Sequence, residues 1–387
     1  MQKIKYPYRN EIEKETFINA YFEVVSTNIK YQSKICNEIK KIDKNWDLKK
    51  LLTADFNELV KFVKSFNKYI KKTIILELKR INVDQNELKY IDEYFEKYFD
   101  NNKKIKSLNN LTPKEEKDKL KRENLNKGLT KKRNEINSSI KRKLNIISNS
   151  IKSPYENKTI FDKIIGFINN ENNELKKNKI TYNLKTCHFC NIDFINSFSV
   201  KDKKKNHFTL DHFLQKSKYP YLSISLFNLI PSCYSCNTKF KGQMEFDSLD
   251  NLHKISPSSE MFNLDQQLEF KLKYNVEEYI DNNKDIVEIE LTNLANEKDF
   301  DKFIQMFNLE GRYEFHNEIS NELIRKRKIY SDSQLDEIEK IFHVNNISID
   351  KETLKKQIFG SVIFEKENTN EPFEKYKKDI AKQLGLI

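Results

Sequence analysis

The sequence predicts a mainly α-helical protein whose helical N- and C-terminal regions flank one small module of different texture. Three observations carry that prediction. Apolar residues recur three and four apart over both ends of the chain, the repeat of an amphipathic helix. The repeat stops between Glu174 and Met244, where four of the five cysteines and three of the six histidines fall. Only 6 glycines occur in 387 residues, and neither a P-loop nor a G-x-G-x-x-G pattern is present, which argues against nucleotide motors and dinucleotide enzymes. At about 100–200 residues per domain, the length accommodates a helical domain over 1–175, the module over 176–250, and a C-terminal domain over 251–387.

In the first of these, Phe56, Leu59, Val60, Val63, Phe66, Ile70 and Ile74 mark one helix face. Leu88, Ile91, Phe95 and Tyr98 repeat the pattern, as does the segment from Phe17 to Val24. Such stripes are core-facing by the ordinary packing rule. Between Asn101 and Tyr155 stand 16 Lys and Arg against 5 Asp and Glu, so this stretch carries +11 of the chain's net +12. Its densest parts are Lys119-Lys121-Arg122, Lys131-Lys132-Arg133 and Lys141-Arg142-Lys143; Lys131, Lys132 and Arg133 are the candidates for contact with a phosphate backbone, and a solvated helix face is the alternative. In the last third, Leu268, Phe270 and Leu272, then Val287, Ile289 and Leu291, alternate with polar residues and predict a short hairpin before helices return at about Glu297.

No stretch approaches the roughly 18 apolar residues of a membrane span, and the start MQKIKYPYRNEIEKE has no apolar core of a signal peptide. The expectation is a cytoplasmic protein without a membrane partner. In a reducing compartment two C-x-x-C pairs read as metal ligands. Cys187-His188-Phe189-Cys190 and Cys233-Tyr234-Ser235-Cys236, 42 residues apart, can close a tetrahedral structural Zn²⁺ site. His188 could replace one thiolate, but four cysteines leave it unneeded.

Between and through these knuckles runs HFTLDHFLQKSKYPYLSISLFNLIPSCYSCNTKFKG. It carries Leu210-Asp211-His212-Phe213, then Asn228-Leu229, then Asn237 directly after Cys236. In this order, interlocked with two knuckles, these residues resemble the HNH, or ββα-metal, endonucleases over about 60 residues. The resemblance implies a β-hairpin and a helix gripping one divalent cation. It implies His212 as the general base that takes a proton from water, Asn228 as the amide that orients it, and Asp211 and Asn237 as ligands of Mg²⁺ or Mn²⁺. Hard oxygen donors suit those ions, and a neutral imidazole suits the base. The third letter is Asn rather than His, an H-N-N version. Lys241 stands where some relatives place a second ligand histidine; a lysine there could neutralise a phosphate instead. Lys216, in the loop after the base, is a further candidate phosphate contact. Gln215 stands where many relatives carry Pro.

Phe307-Asn308-Leu309-Glu310-Gly311-Arg312-Tyr313 and the closing Tyr376-Lys377-Lys378-Asp379-Ile380 are similar to bacterial HNH proteins, some of them antiphage effectors that work beside an ATPase. This likeness fixes no residue role. The expected activity is hydrolysis of DNA phosphodiester bonds in antiphage defence, with RNA left open as a substrate. Two alternatives stand beside it: a non-catalytic zinc-knuckle module that only binds nucleic acid, and a nuclease subunit silent until a partner ATPase or sensor releases it. Sequence preference, oligomeric state and trigger are not written in the chain.

Overall fold

The computed structural model describes residues 2–27, 29–79, 138, 142, 158–201, 203–246, 249–274, 287–294 and 298–387. The fold is mainly α, with three two-stranded antiparallel sheets. The predicted helix at Leu88–Tyr98 and the basic cluster Lys131, Lys132 and Arg133 lie outside the described residues.

The N-terminal helices are α1 (Glu11–Ser26), α2 (Gln32–Ile42), α3 (Leu48–Thr53) and α4 (Phe56–Lys79). Asn10 caps α1 by accepting from the Glu13 amide, and Asp47 caps α3 through the Lys50 amide, satisfying donors that a helix start leaves unpaired. The stripe foreseen on α4 is buried from Phe56 through Ile70. Phe66 of the stripe packs against Tyr221, ring centroids 4.4 Å apart, and Phe62, outside the stripe on the same helix, packs against Trp46 at 4.5 Å. Two shorter helices follow, α5 (Lys158–Ile168) and α6 (Asn173–Lys177).

The middle of the chain folds as β1 (Asn196–Val200) and β2 (Lys203–His207), then β3 (Thr209–His212) and β4 (Leu229–Ser232). A π-wound helix, Ser235–Lys241, comes next and is called here the site helix. Beyond it lie α7 (Leu252–Ile255) and the hairpin β5 (Leu268–Tyr274) and β6 (Val287–Asn293). Its register pairs Phe270 with Leu291 and Leu272 with Ile289, the apolar positions that the alternation picked out. Helices α8 (Lys298–Met306), α9 (Leu309–Glu314), α10 (Glu318–Ile329), α11 (Asp332–Val344), α12 (Lys351–Phe359), α13 (Ser361–Phe364) and α14 (Glu374–Gln383) complete the chain.

One apolar core runs through all three sequence regions, from Ile4 to Leu386. Both ends of the chain clasp the middle. The Gln2 amide donates to the His188 carbonyl at 3.1 Å, and the Phe373 amide donates to the Asn191 carbonyl at 2.8 Å. Asn191 then accepts from the Glu374 amide, at the start of α14, through its side-chain oxygen. Among the described residues no helix is long and apolar enough to cross a membrane.

Candidate functional site

The first knuckle sits between an isolated bridge, Thr186 with Phe194, and the second directly follows β4. This brings Cys187, Cys190, Cys233 and Cys236 together, their sulfurs all within 4.8 Å of one another and all buried. Four sulfurs at about 2.3 Å from one tetrahedral ion would stand about 3.8 Å apart, so the spacing fits a structural metal such as zinc. The close thiols act strongly on one another's protonation. Burial pushes Cys236 up, as do its three neighbours. Burial also acts upward on Cys190, but hydrogen bonds from the other three thiols and the charge of Arg312 outweigh it and hold Cys190 well below the usual range. His188 takes no part: its Nδ1 faces the Gln2 carbonyl at 3.3 Å.

The C-terminal region reaches this centre. Arg312, on α9, donates from one guanidinium nitrogen to the Cys236 sulfur at 3.1 Å and from the other to Asp193 at 3.0 Å. The Tyr313 hydroxyl donates to the Cys190 carbonyl at 2.6 Å. The sequence singled out neither as a site residue. They stand more than a hundred residues from the first knuckle, and no spacing rule links them to it.

The second constellation lies on β3. Asp211 pairs with Ile230 and His212 with Leu229 across the β3–β4 ladder. The half-buried His212 ring places Nε2 2.8 Å from the Ser223 carbonyl. A carbonyl can only accept, so Nε2 carries the proton and Nδ1 is the lone-pair nitrogen of the neutral ring. Burial, helped by the charges of Lys216 and Lys241 and opposed by the Ser223 bond, brings the His212 pKa down to about 4. The ring is therefore neutral at pH 7.

The hydrogen bonds of Asn228 run to the backbone rather than to that ring. Its Nδ2 donates to the Leu214 and Leu222 carbonyls at 3.0 and 3.1 Å, and its Oδ1 accepts from the Leu214 amide at 2.7 Å. These bonds staple the two ends of the loop between β3 and β4. That loop carries Ser223, whose carbonyl faces the His212 ring. Helices of the N-terminal region brace the same loop: the Tyr21 hydroxyl donates to the Ile224 carbonyl at 2.9 Å, and Ser225 Oγ donates to the Leu51 carbonyl at 2.8 Å.

Asp211 is buried, and its burial acts upward on its pKa against the pull of Lys241. Lys241, the last residue of the site helix, is 2% exposed. Its Nζ donates to Asp211 Oδ1 at 3.0 Å, lies 2.9 Å from Oδ2, and donates to the His212 carbonyl at 2.9 Å. Its ammonium is turned inward onto Asp211 rather than presented to solvent. Asn237, half-buried, precedes Lys241 by four residues on the same helix. Positions that far apart share a helix face, so Asn237 and Lys241 belong to one side of the site helix.

Lys216 is half-buried, with its charge felt at His212, while Lys218 is engaged by Glu245 at 3.3 Å. His207 and His316 line a separate cavity of about 650 Å³ with Phe194 and with Cys233 and Tyr234 of the second knuckle. Neither Asp211 nor His212 opens into it.

No family model matches the chain, and no match was found among the curated proteins or the solved structures.

Proposed function

We propose that the chain is an HNH-type endonuclease, with β3, β4 and the site helix as its ββα-metal module and the four cysteines as its structural zinc site. The observation that carries this reading is the hydrogen bond of His212 Nε2 to Ser223, which fixes the tautomer of a neutral imidazole beside a buried carboxylate. With its proton committed to a backbone carbonyl, the ring offers Nδ1 to a water as general base, and the water attacks a phosphodiester. Asn228 and Tyr21 hold the loop and so hold that geometry.

The donors fit a divalent cation in kind. Asp211 is a buried carboxylate whose Oδ2 has no hydrogen-bond partner among the described residues, and Asn237 adds an amide oxygen from the adjoining helix. Mg²⁺ or Mn²⁺ held there would supply Lewis-acid stabilisation of the phosphate and of the leaving oxygen. The basic stretch around Lys131, Lys132 and Arg133, together with Lys216, favours a polyanionic substrate, which we take to be DNA.

One observation favours the silent-effector form of this proposal over a constitutively active nuclease: Lys241 already neutralises the carboxylate that should hold the cation. A partner ATPase or sensor would then act on this module. The test is cleavage of supercoiled, linear and single-stranded DNA and of RNA by the purified zinc-loaded protein with Mg²⁺ or Mn²⁺. Wild-type cutting that His212→Ala abolishes supports the proposal. Equal cutting by both proteins removes His212 as the base and with it the HNH reading.

A further inference from the structure

We infer that Lys241 is a displaceable counter-ion: its ammonium occupies the carboxylate of Asp211 in the resting protein, and a divalent cation is held only when that ammonium leaves. The inference rests on the endonuclease reading of Asp211 and goes beyond it by making metal loading a competition within the chain.

The geometry is one-sided. A single ammonium lies within 3.0 Å of both Asp211 oxygens, and a further contact at 2.9 Å to the His212 carbonyl ties it to the backbone of the same strand. Both partners are almost wholly buried, so water screens the pair little. Only one of the two contacts to the carboxylate has hydrogen-bond geometry, since Oδ2 remains without a hydrogen bond. The carboxylate is therefore neutralised by charge but not saturated by donors.

Two cations on it oppose each other. A divalent ion on Asp211 and an ammonium at 2.9 Å from the same oxygen would repel each other at close range in a medium of low dielectric. Lys241 has the means to leave. It ends the site helix, its charge sits on a flexible four-carbon stem, and the residue after it is Gly242 at φ +48°, a left-handed conformation that favours glycine. The released ammonium remains one helical turn from Asn237, where it can meet an anionic substrate. Loading the cation thus exposes a positive charge that the resting protein conceals.

A protein whose binding-competent state is a minor fraction shows an apparent affinity lowered by that fraction. Removing the competing charge should therefore tighten metal binding. The experiment is a calorimetric titration of the zinc-loaded full chain with Mn²⁺, without nucleic acid, for wild type and Lys241→Gln. Glutamine keeps donors toward Asp211 and the His212 carbonyl but carries no charge. The expected result is binding about tenfold tighter in the variant. Equal or weaker binding overturns the inference.

A second measurement needs no variant. Amine acylation followed by mass spectrometry should find Lys241 protected in the zinc-loaded protein without added Mn²⁺ and modified at saturating Mn²⁺. Protection that persists at saturating Mn²⁺ overturns the inference while leaving the metal site intact. If neither protein binds Mn²⁺ beyond the zinc centre, both this inference and the endonuclease reading fail. Adding Asp211→Asn to Lys241→Gln should remove whatever Mn²⁺ site the single variant shows.

Discussion

The cysteine centre and the Asp211–His212 centre stand at opposite ends of the same strand pair, yet they meet their charge differently. Four buried sulfurs crowd within 4.8 Å of one another, and the guanidinium of Arg312 bonds one of them. That cluster is short of positive charge and closed to solvent, the condition of a structural metal site. Asp211 is one carboxylate met by one ammonium, a pair already balanced in charge. A centre short of charge needs its ion to stay folded. A balanced centre does not, and its ion can come and go.

The largest effect that could break this contrast is on folding. Cys190→Ser or Cys233→Ser should cost the protein its bound zinc, about one ion per chain. The middle of the chain should melt with it, because binding free energy at such sites is folding free energy, about 10–16 kcal/mol for zinc on small modules. Elemental analysis and thermal melting read both. A zinc-free wild type that melts cooperatively would remove the reason to treat the two centres differently.

At the other centre the same class of change should leave the fold and take the chemistry. His212→Ala should melt close to wild type and retain its zinc, while its cleavage rate falls by about 10²–10⁴, the usual worth of a general base. Asp211→Asn should also lose cleavage, but higher Mn²⁺ should recover part of it, which His212→Ala cannot match. Loss of zinc from His212→Ala would show that the two centres are one structural unit.

Arg312→Met sharpens the comparison at smaller scale. It removes the donor to Cys236 and the ion pair to Asp193, and leaves an apolar stem against Phe240. Outer partners of metal ligands are commonly worth about 10–100-fold in metal affinity. A competition titration with a chelator should show zinc released within that range. Unchanged retention would mean that the knuckles alone set the affinity.

How far the sequence foretold these centres depends on where the information sits. The α4 stripe, the β5–β6 alternation and the paired cysteines were legible, because each is a repeat of residue types at a fixed local interval. The β1–β2 hairpin was not: all five residues of β1 are exposed, so that strand carries no inside–outside alternation to read. Ser223 was invisible because its part is played by a backbone carbonyl, which any residue could supply. Asn228 was picked out by type and position, but its bonds go to main-chain groups of Leu214 and Leu222 rather than to the ring. Lys241 and Arg312 act on groups 30 and 76 residues away, and only the folded chain reveals such pairings. The basic run at Lys131, Lys132 and Arg133 lies outside the described residues, so its part in binding rests on charge alone.

The smallest effect tests whether the N-terminal helices merely cover the site or tune it. Tyr21, on α1, is fully buried, and its hydroxyl donates to the carbonyl of Ile224, the neighbour of Ser223. Tyr21→Phe keeps the ring against Phe167 and removes only that donor. An acceptor left buried without its donor costs about 1–3 kcal/mol, and here the loss falls on the loop that sets the His212 tautomer. The variant should therefore melt slightly earlier, hold zinc as wild type does, and cleave more slowly without a change in Mn²⁺ affinity. That split follows from the wiring: Tyr21 bonds to the loop that faces the ring, whereas Asp211 and Lys241 meet on β3 and the site helix. A cleavage rate equal to wild type despite the lower melting point would mean that Ser223 keeps its place without α1, and that the N-terminal helices stabilise the site without tuning it.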